Sequence, residues 1–134
     1  MKFKNGCAYL IDLKHAISPE LKGNHYCYAF KIPNDKALAL CFLMTSNPSK
    51  LNASYTISLP ENPNGKVLLK HTKMISTSRI LNTLKDASGK AIFLSQNSID
   101  LLFKEYNNYI DNICSAAVKS FSMRNSQLVK TTQN

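Results

Sequence analysis

The chain has 134 residues, of which 17 are lysine or arginine and eight are aspartate or glutamate, so its formal net charge is +9. This length fits one domain with a sizeable core, and no run approaches the roughly 18 consecutive apolar residues of a membrane-spanning helix. The first residues, MKFKNGC, lack the apolar stretch of a signal peptide, so we expect a cytoplasmic protein that does not enter a membrane. The positive charge favours a polyanionic partner such as RNA, or an acidic protein.

The four cysteines, Cys7, Cys27, Cys41 and Cys114, form no C-x-x-C pair. The first three sit in apolar runs typical of strands, where cysteine usually serves as a small hydrophobic residue in a reducing compartment. We therefore expect no disulfide framework, no metal site and no cofactor.

Three strands are predicted in the first half of the chain. The first is Cys7–Leu13, and a long polar loop over residues 14–24 follows it. Two runs rich in aromatic and apolar residues, His25–Ile32 and Ala37–Met44, come next. The segment 33–36 between them, Pro-Asn-Asp-Lys, has the composition of a turn, because proline presets one φ angle and Asn or Asp tolerates unusual backbone angles. The two runs therefore predict an antiparallel hairpin.

The predicted hairpin brings four polar residues to one rim of the sheet. In an antiparallel pair, the start of the first strand lies beside the end of the second. His25 opens the first strand, and Thr45 and Ser46 close the second, while Lys22 comes shortly before the first strand. We therefore expect an imidazole, two hydroxyls and a cation to lie close together at this rim.

Shorter elements are predicted between this hairpin and the end of the chain. Tyr55–Leu59 alternates as a strand, and residues 60–65 (PENPNG) form a turn. Lys66–Leu69 predicts another strand, whose composition allows it to extend five residues further. Ser76–Leu81 begins with residues that favour a helix start, which predicts a short helix. Ala91–Leu94 follows a glycine and predicts a brief strand.

The clearest periodic signal is a long amphipathic helix near the end of the chain, which Ser95 or Asn97 can cap. Apolar residues recur there at steps of three and four, as expected for one helix face that packs on the sheet. They are Ile99, Leu102, Phe103, Tyr106, Ile110, Ile113, Ala117 and Phe121. The sequence after about Arg124 is polar. We therefore expect one domain over residues 1–124 and a polar, frayed tail over residues 125–134.

The order and spacing of these segments resemble the MazF/PemK toxin family. CAYLIDL is similar to the family's opening strand, SPELKGNHYCYAF to its GSE…G-x-RP segment, and LCFLMTS to its apolar strand ending in Thr-Ser. KVLLKHTKMISTSRIL is similar to its V-L-x-x-Q-I-R-T-I segment, and IFLSQNSIDLL to the run into its last helix. The resemblance implies a mainly β fold, an SH3-like small barrel with a long C-terminal helix. It also implies a toxin of a toxin–antitoxin system that cleaves single-stranded RNA.

Several positions depart from the family pattern. His25, followed by Tyr26, stands where the family usually carries its catalytic arginine and a proline. Lys73 stands at the arginine of the I-R-T-I segment. The Thr-Ser motif followed by a lysine is also similar to toxins of RNA-antitoxin systems, which share the fold. Both a protein antitoxin and an RNA antitoxin therefore remain open.

The chemistry of RNA cleavage without a metal ion suits the residues predicted at the hairpin rim. The ribose 2′-OH must lose a proton, the leaving 5′-oxygen must gain one, and charge on phosphorus must be stabilised. The imidazole of His25 suits either proton transfer. Lys22, Thr45 and Ser46 supply a cation and hydroxyls for the developing charge. The alternative for Thr45 and Ser46 is a plain capping role at a strand end.

Five further residues are candidates for binding the RNA. Lys50, Lys73 and Arg79 can extend a basic groove along the phosphates, although such residues most often form a solvated face. Tyr26 or Tyr55 can stack on bases, although tyrosines in strands more often pack in the core or at an edge. If only these residues act, the alternative is a non-catalytic module of the same fold that binds RNA or an antitoxin.

The predicted helix also bears on assembly. It carries more apolar surface than one small barrel needs, and Leu84, Ile92, Phe93 and Leu94 add to that surface. The family resemblance implies homodimers that hold RNA across their interface. We therefore expect a homodimer, or a complex in which a bound antitoxin replaces the second subunit.

Overall fold

The computed structural model describes residues 3–13, 23–46 and 55–132, with side chains described through residue 122. The chain divides into two compact units, Met1–Leu102 and Phe103–Asn134. The first unit contains the strands and the start of the helix, and the second contains the rest of that helix. Within the described residues, no helix has both the length and the apolar character needed to cross a bilayer.

Seven strands and one α-helix make up the described secondary structure. In chain order they are β1 (Cys7–Asp12), β2 (Asn24–Ile32), β3 (Asp35–Thr45), β4 (Thr56–Ser58), β5 (Lys66–Leu68), β6 (Lys73–Ser76), β7 (Ile80–Thr83) and α1 (Gln96–Thr132). Two short 3-10 turns, Leu69–His71 and Thr77–Arg79, flank β6.

The strands pair in the order β4-β5-β3-β2-β1-β7, and β6 also pairs with β3. All pairs are antiparallel. The long strand β3 has β2 on one edge, whereas β5 and β6 pair with successive parts of its length. The prediction of a mainly β fold with a C-terminal helix is confirmed. In the described part of the chain, the hydrogen-bonded path runs from β4 to β7 and does not close.

The predicted hairpin is confirmed in β2 and β3. Their register pairs Cys27 with Leu43 and Phe30 with Leu40, and it shifts near the turn, after Lys31. Pro33 and Asn34 form that turn, and Asn34 has a φ of 67°, in the left-handed region that asparagine tolerates better than most residues. The turn chemistry therefore sets the register that positions the far ends of both strands.

Three shorter elements differ from the sequence predictions. The run that starts at Lys66 is interrupted by the 3-10 turn Leu69–His71 before β6 begins. The predicted helix start is confirmed as a single 3-10 turn over Thr77–Arg79, which Ser76 caps by accepting a hydrogen bond from the Ser78 N–H, but the predicted continuation of the helix through Leu81 is wrong. Ile80–Thr83 forms β7 instead, because this segment pairs with the edge of β1, a long-range contact that outweighs local helix preference.

The predicted strand Ala91–Leu94 is present only as two isolated bridges, Cys7 with Phe93 and Lys85 with Ala91. Backbone hydrogen bonds nevertheless fix this segment against β1. The Ile92 carbonyl accepts from the Ala8 N–H at 3.0 Å, and the Leu94 N–H donates to the Gly6 carbonyl at 3.0 Å. The segment therefore lies beside β1 without forming a regular strand.

Both faces of the central strands are buried. Alternate residues on one face form a hydrophobic cluster that includes Tyr9, Cys27 and Leu43. On the other face, Tyr28 and Phe42 are also fully buried. Such two-sided burial makes the strands read as continuous apolar runs rather than as alternating ones. Cys7, Cys27 and Cys41 are buried free thiols, as expected, and Cys114 is an exposed one.

Helix α1 begins as predicted, because the Ser95 Oγ accepts a hydrogen bond from the Ser98 N–H at 3.2 Å. Leu102 is fully buried, as expected for the apolar face. Further along the helix that face is exposed: 44% of the Ile113 side chain and 65% of the Phe121 side chain are accessible. The prediction that this face is buried along its whole length is therefore wrong at Ile113 and at Phe121. The helix continues to Thr132, through most of the segment predicted as a tail.

Candidate functional site

A cleft of about 630 Å³ opens within the first unit. Three parts of the chain line it: the adjoining ends of β2 and β3, the turn over residues 60–65, and the segment that leads from β7 back along β1. This volume falls in the range of pockets that hold a small molecule or a single nucleotide.

The cleft contains the predicted cluster at the hairpin rim. His25, Tyr26, Thr45 and Ser46 all line it. The hairpin ladder ends toward this rim with the pair of Cys27 and Leu43, and the same register carried two residues further places His25 opposite Thr45. His25 is half-buried, whereas 40% of the Tyr26 side chain is exposed. The predicted proximity of the imidazole and the two hydroxyls is therefore confirmed, and their catalytic roles stay predictions.

The same strand ends are held from the outer edges. On one side, His25 of β2 pairs with Ile11 of β1, which is fully buried. On the other side, Thr45 pairs with Lys66 of β5. Each of the two candidate residues is thus in a strand with a partner on its far side, which fixes the backbone positions of both.

The other predicted site residues do not join this cluster. Lys22 and Lys50 lie outside the described residues. Lys73, Arg79 and Tyr55 are described, but none of them lines the cleft. Lys73 pairs with Cys41, four residues before the end of β3, which is roughly 13 Å along a strand. Tyr55 precedes β4, which lies beyond β5, and Arg79 follows β6. A groove that joins these three residues to His25 is therefore not part of this cleft.

Five polar or charged lining residues from outside the hairpin were not predicted as site residues. Glu61, Asn62 and Asn64 come from the turn over residues 60–65, and Lys85 and Asp86 from the segment after β7. Amide and carboxylate side chains are common in turns for local backbone reasons. For the turn over residues 60–65, the composition PENPNG was the only signal, and it does not distinguish a cleft wall from an ordinary turn.

Glu61 joins this turn to the start of α1. Its Oε1 accepts a hydrogen bond from the Ser95 N–H at 2.8 Å, and its Oε2 accepts one from the Ser98 hydroxyl at 2.8 Å. Burial alone would raise the pKa of Glu61, but these hydrogen bonds outweigh it and hold the pKa below its ordinary value. A carboxylate at this position also complements the positive end of the helix dipole. The turn is therefore anchored from behind.

The same turn packs tightly against the end of β3. The Gly65 N–H donates to the Asn62 carbonyl at 3.2 Å, and the Asn62 Nδ2 lies 3.7 Å from the Met44 Sδ. A Cβ at position 65 would lie 2.8 Å from that Nδ2. A larger residue at this position would therefore push the Asn62 amide away from Met44.

Asp86 shapes the opposite wall. Its Oδ1 accepts hydrogen bonds from the Ser88 N–H, the Ser88 hydroxyl and the Lys90 N–H, at 2.9, 2.6 and 3.1 Å. These bonds lower the pKa of Asp86. Gly89, with a φ of +84°, closes the turn. Asp86 thus holds a tight turn in shape and keeps a negative charge at the cleft.

The charge of the described cleft walls is not strongly positive. Glu61 and Asp86 contribute carboxylates, and Lys85 is the one lysine or arginine among the described lining residues. The net charge of +9 is therefore carried mostly elsewhere on the chain. The described walls thus combine the imidazole of His25, the hydroxyls of Thr45 and Ser46, and the side-chain amides of Asn62 and Asn64.

Within the described residues, no three His, Cys, Asp or Glu side chains lie close enough together to hold a metal ion. No protein-family model matches the sequence, and no curated protein is similar enough to count as a relative. The resemblance to the MazF/PemK family therefore stays a hypothesis carried by short segments, and the cleft is the main structural support for any function.

Proposed function

We propose that the protein is a toxin of a toxin–antitoxin system, a MazF/PemK-like endoribonuclease that cleaves single-stranded RNA in a sequence-specific manner and without a metal ion. The observation that carries the proposal is the meeting of His25, Thr45 and Ser46 in one cleft beside the exposed ring of Tyr26. Its partners are the RNA substrate, a protein or RNA antitoxin, and a second copy of the chain.

The fold part of the proposal is an SH3-like small barrel. Support comes from the last strand, β7, which returns to pair with the first strand, β1, on the edge opposite to β2. Further support comes from β3, whose two edges carry β2 on one side and β5 with β6 on the other. Strands that return to the first one in this way give a sheet that curls on itself.

The proposed reaction is an internal transesterification. The ribose 2′-oxygen loses its proton and bonds to phosphorus, the bond from phosphorus to the 5′-oxygen breaks, and that oxygen takes up a proton. His25 moves the proton, since an imidazole can both accept and donate one. Thr45 and Ser46 donate hydrogen bonds to the phosphoryl oxygens as negative charge develops there. Lys22, two residues before Asn24 of the cleft, remains the predicted cation.

The second candidate is a non-catalytic module that binds RNA or an antitoxin. The observation in its favour is the charge of the described walls, where two carboxylates accompany one lysine. A cleft that stabilises a phosphorane normally presents more positive charge than this. A binding module needs only the aromatic ring, the amides and the general basic charge of the chain.

Incubation of the purified protein with single-stranded RNA in EDTA separates the two candidates. Transesterification leaves a 2′,3′-cyclic phosphate on one fragment and a 5′-hydroxyl on the other, and mass spectrometry identifies both ends. Binding without cleavage favours the second candidate. Cleavage that requires an added divalent ion contradicts the first.

The variant His25→Ala tests the proposed proton transfer. We expect cleavage to fall by about 10²–10⁴-fold, the typical loss for a general acid–base group, with little change in RNA affinity. The matched control is His71→Ala, because His71 is half-buried in a 3-10 turn and does not line the cleft. His25→Arg retains activity without pH dependence if the role is electrostatic. Full activity in His25→Ala would refute the assignment.

A further inference from the structure

The turn over residues 60–65 forms one wall of the cleft, and its chemistry suits a nucleobase better than a phosphate. Glu61, Asn62 and Asn64 line this wall, and Met44 lies beside it. A phosphate there would lie near the negative charge of Glu61, whose lowered pKa keeps it ionised at neutral pH. A base carries no net charge, stacks on apolar and aromatic groups, and offers an edge of donors and acceptors.

The amide groups of the wall match such an edge. A side-chain amide presents a donor and an acceptor side by side, which is why Asn forms paired hydrogen bonds with bases. Asn64 is exposed to solvent at the cleft, whereas the Asn62 amide is engaged with Met44. Asn64 is therefore the residue of this wall placed to contact a ligand.

The wall is also rigid, as discrimination between similar ligands requires. Glu61 is bonded to the backbone of Ser95 and to the hydroxyl of Ser98, which is 96% buried. The Asn62 N–H donates to the carbonyl of the buried Leu59 at 3.2 Å. A rigid wall holds its hydrogen-bonding groups in one arrangement, so a base with the wrong edge leaves them unpaired.

We infer that the turn over residues 60–65 is a nucleobase-recognition wall: Asn64 contacts an unpaired base of the RNA, and the bonds from Glu61 to Ser95 and Ser98 position it. The inference rests on the proposed function, because it takes RNA as the occupant of the cleft. Asn64 holds the base edge against the wall, where the negative charges of Glu61 and Asp86 favour an exocyclic amino group over a second carbonyl. The wall therefore selects a base with an exocyclic amino group, such as cytosine, over uracil.

The test uses binding rather than cleavage. Fluorescently labelled 2′-O-methyl nonamers of cytidine and of uridine differ only in the base edge, and neither can be cleaved, since the 2′-hydroxyl is blocked. An abasic nonamer supplies the phosphates without bases. Fluorescence anisotropy with the full chain then measures all three affinities. We expect the cytidine nonamer to bind at least tenfold more tightly than the uridine nonamer, as one good base contact provides, and the abasic nonamer to bind most weakly.

Four variants locate the discrimination between cytidine and uridine. Asn64→Ala should reduce the preference for cytidine to less than threefold, and Ser98→Ala should reduce it partly, since it loosens the positioning of Glu61. Asn97→Ala is the matched control, because Asn97 is exposed and does not line the cleft, and it should keep the full preference. Restoration of the preference in Asn64→Gln, which keeps the amide, would separate recognition from a general loss of structure.

Each other outcome overturns the inference. Equal binding of the abasic and base-containing nonamers would show that phosphates alone are bound. A preference for uridine, or full discrimination in Asn64→Ala, would place base recognition elsewhere. If no nonamer binds and an acidic protein binds in the cleft instead, the wall recognises a protein partner rather than a base. The proposed function fails separately: a protein that discriminates bases but cleaves no RNA keeps the recognition wall and loses the nuclease.

Discussion

Replacement of Glu61 by glutamine tests how the cleft wall is held. The carboxylate accepts two hydrogen bonds of 2.8 Å, from the Ser95 N–H and the Ser98 hydroxyl. Buried bonds to a charged group are worth about 1.5–3 kcal/mol each. Ser95 is exposed, so water replaces part of its bond, and glutamine retains one acceptor. We therefore expect Glu61→Gln to lower the free energy of unfolding by about 1–2 kcal/mol at pH 7.

The lowered pKa of Glu61 predicts how the stability difference between wild type and Glu61→Gln depends on pH. The pKa of Glu61 is lower in the folded chain than the value of about 4.3 usual for an unfolded one. Between the folded-state and unfolded-state pKa values, the unfolded chain binds more protons than the folded chain does. The contribution of Glu61 to the free energy of unfolding is therefore complete above about pH 5 and is lost as the pH falls through the folded-state pKa. The gap in stability between wild type and Glu61→Gln should therefore narrow toward pH 3.

Urea unfolding followed by circular dichroism at pH 7, 5, 4 and 3 measures this gap. The matched control is Asp100→Asn, which also neutralises an acid near the start of α1 but affects only an exposed bond with Gln96. We expect a change of less than about 0.5 kcal/mol for the control, as is typical of surface substitutions. Equal stability of wild type and Glu61→Gln at pH 7, or a gap that is undiminished at pH 3, would refute the anchoring of the turn by this carboxylate.

Three further predictions concern the core, the helix and the charged edge. Burial, together with the charge of Glu61, raises the pKa of Tyr28, and its buried hydroxyl has no hydrogen-bond partner among the described residues. Tyr28→Phe should therefore leave the free energy of unfolding unchanged or raise it by up to about 1 kcal/mol. A clear loss of stability in urea unfolding would show that the hydroxyl is bonded. Because Ile113 and Phe121 are exposed, we expect light scattering at micromolar concentration to give twice the monomer mass. Lysine at either position should shift the mass toward that of the monomer. A monomeric wild-type protein would contradict the predicted dimer. Because Lys73 does not line the cleft, Lys73→Ala should not change the salt dependence of binding to an RNA trinucleotide, whereas loss of a phosphate contact would change the slope by roughly 0.7.

Local chemistry in the sequence was sufficient for the elements that depend on neighbouring residues. The hairpin of β2 and β3 follows from two apolar runs and a turn with asparagine at a positive φ. Once the turn is set, antiparallel pairing fixes which residues face each other, so the meeting of His25 and Thr45 was predictable. The start of α1 was predictable for the same reason, since Ser95 caps a helix whose periodicity lies within its own segment.

Tertiary contacts decided what local preference could not. Ile80–Thr83 looks like a continuation of a helix start, yet it forms a strand because the edge of β1 offers hydrogen bonds to it from about 70 residues away in sequence. The helix face from Ile113 onward looks like core, yet it is exposed, since a periodic pattern shows that a face is apolar and not what covers it.

The walls of the cleft show most clearly which features depend on local sequence and which depend on tertiary contacts. The sequence by itself determined the residues at the hairpin rim, because strand register is a local property of the turn. Only the tertiary structure brought Glu61, Asn64 and Asp86 to face that rim, and only it joined Glu61 to Ser98, 37 residues later. Contacts of that separation depend on how all the strands pack together, and no spacing within a single segment encodes them.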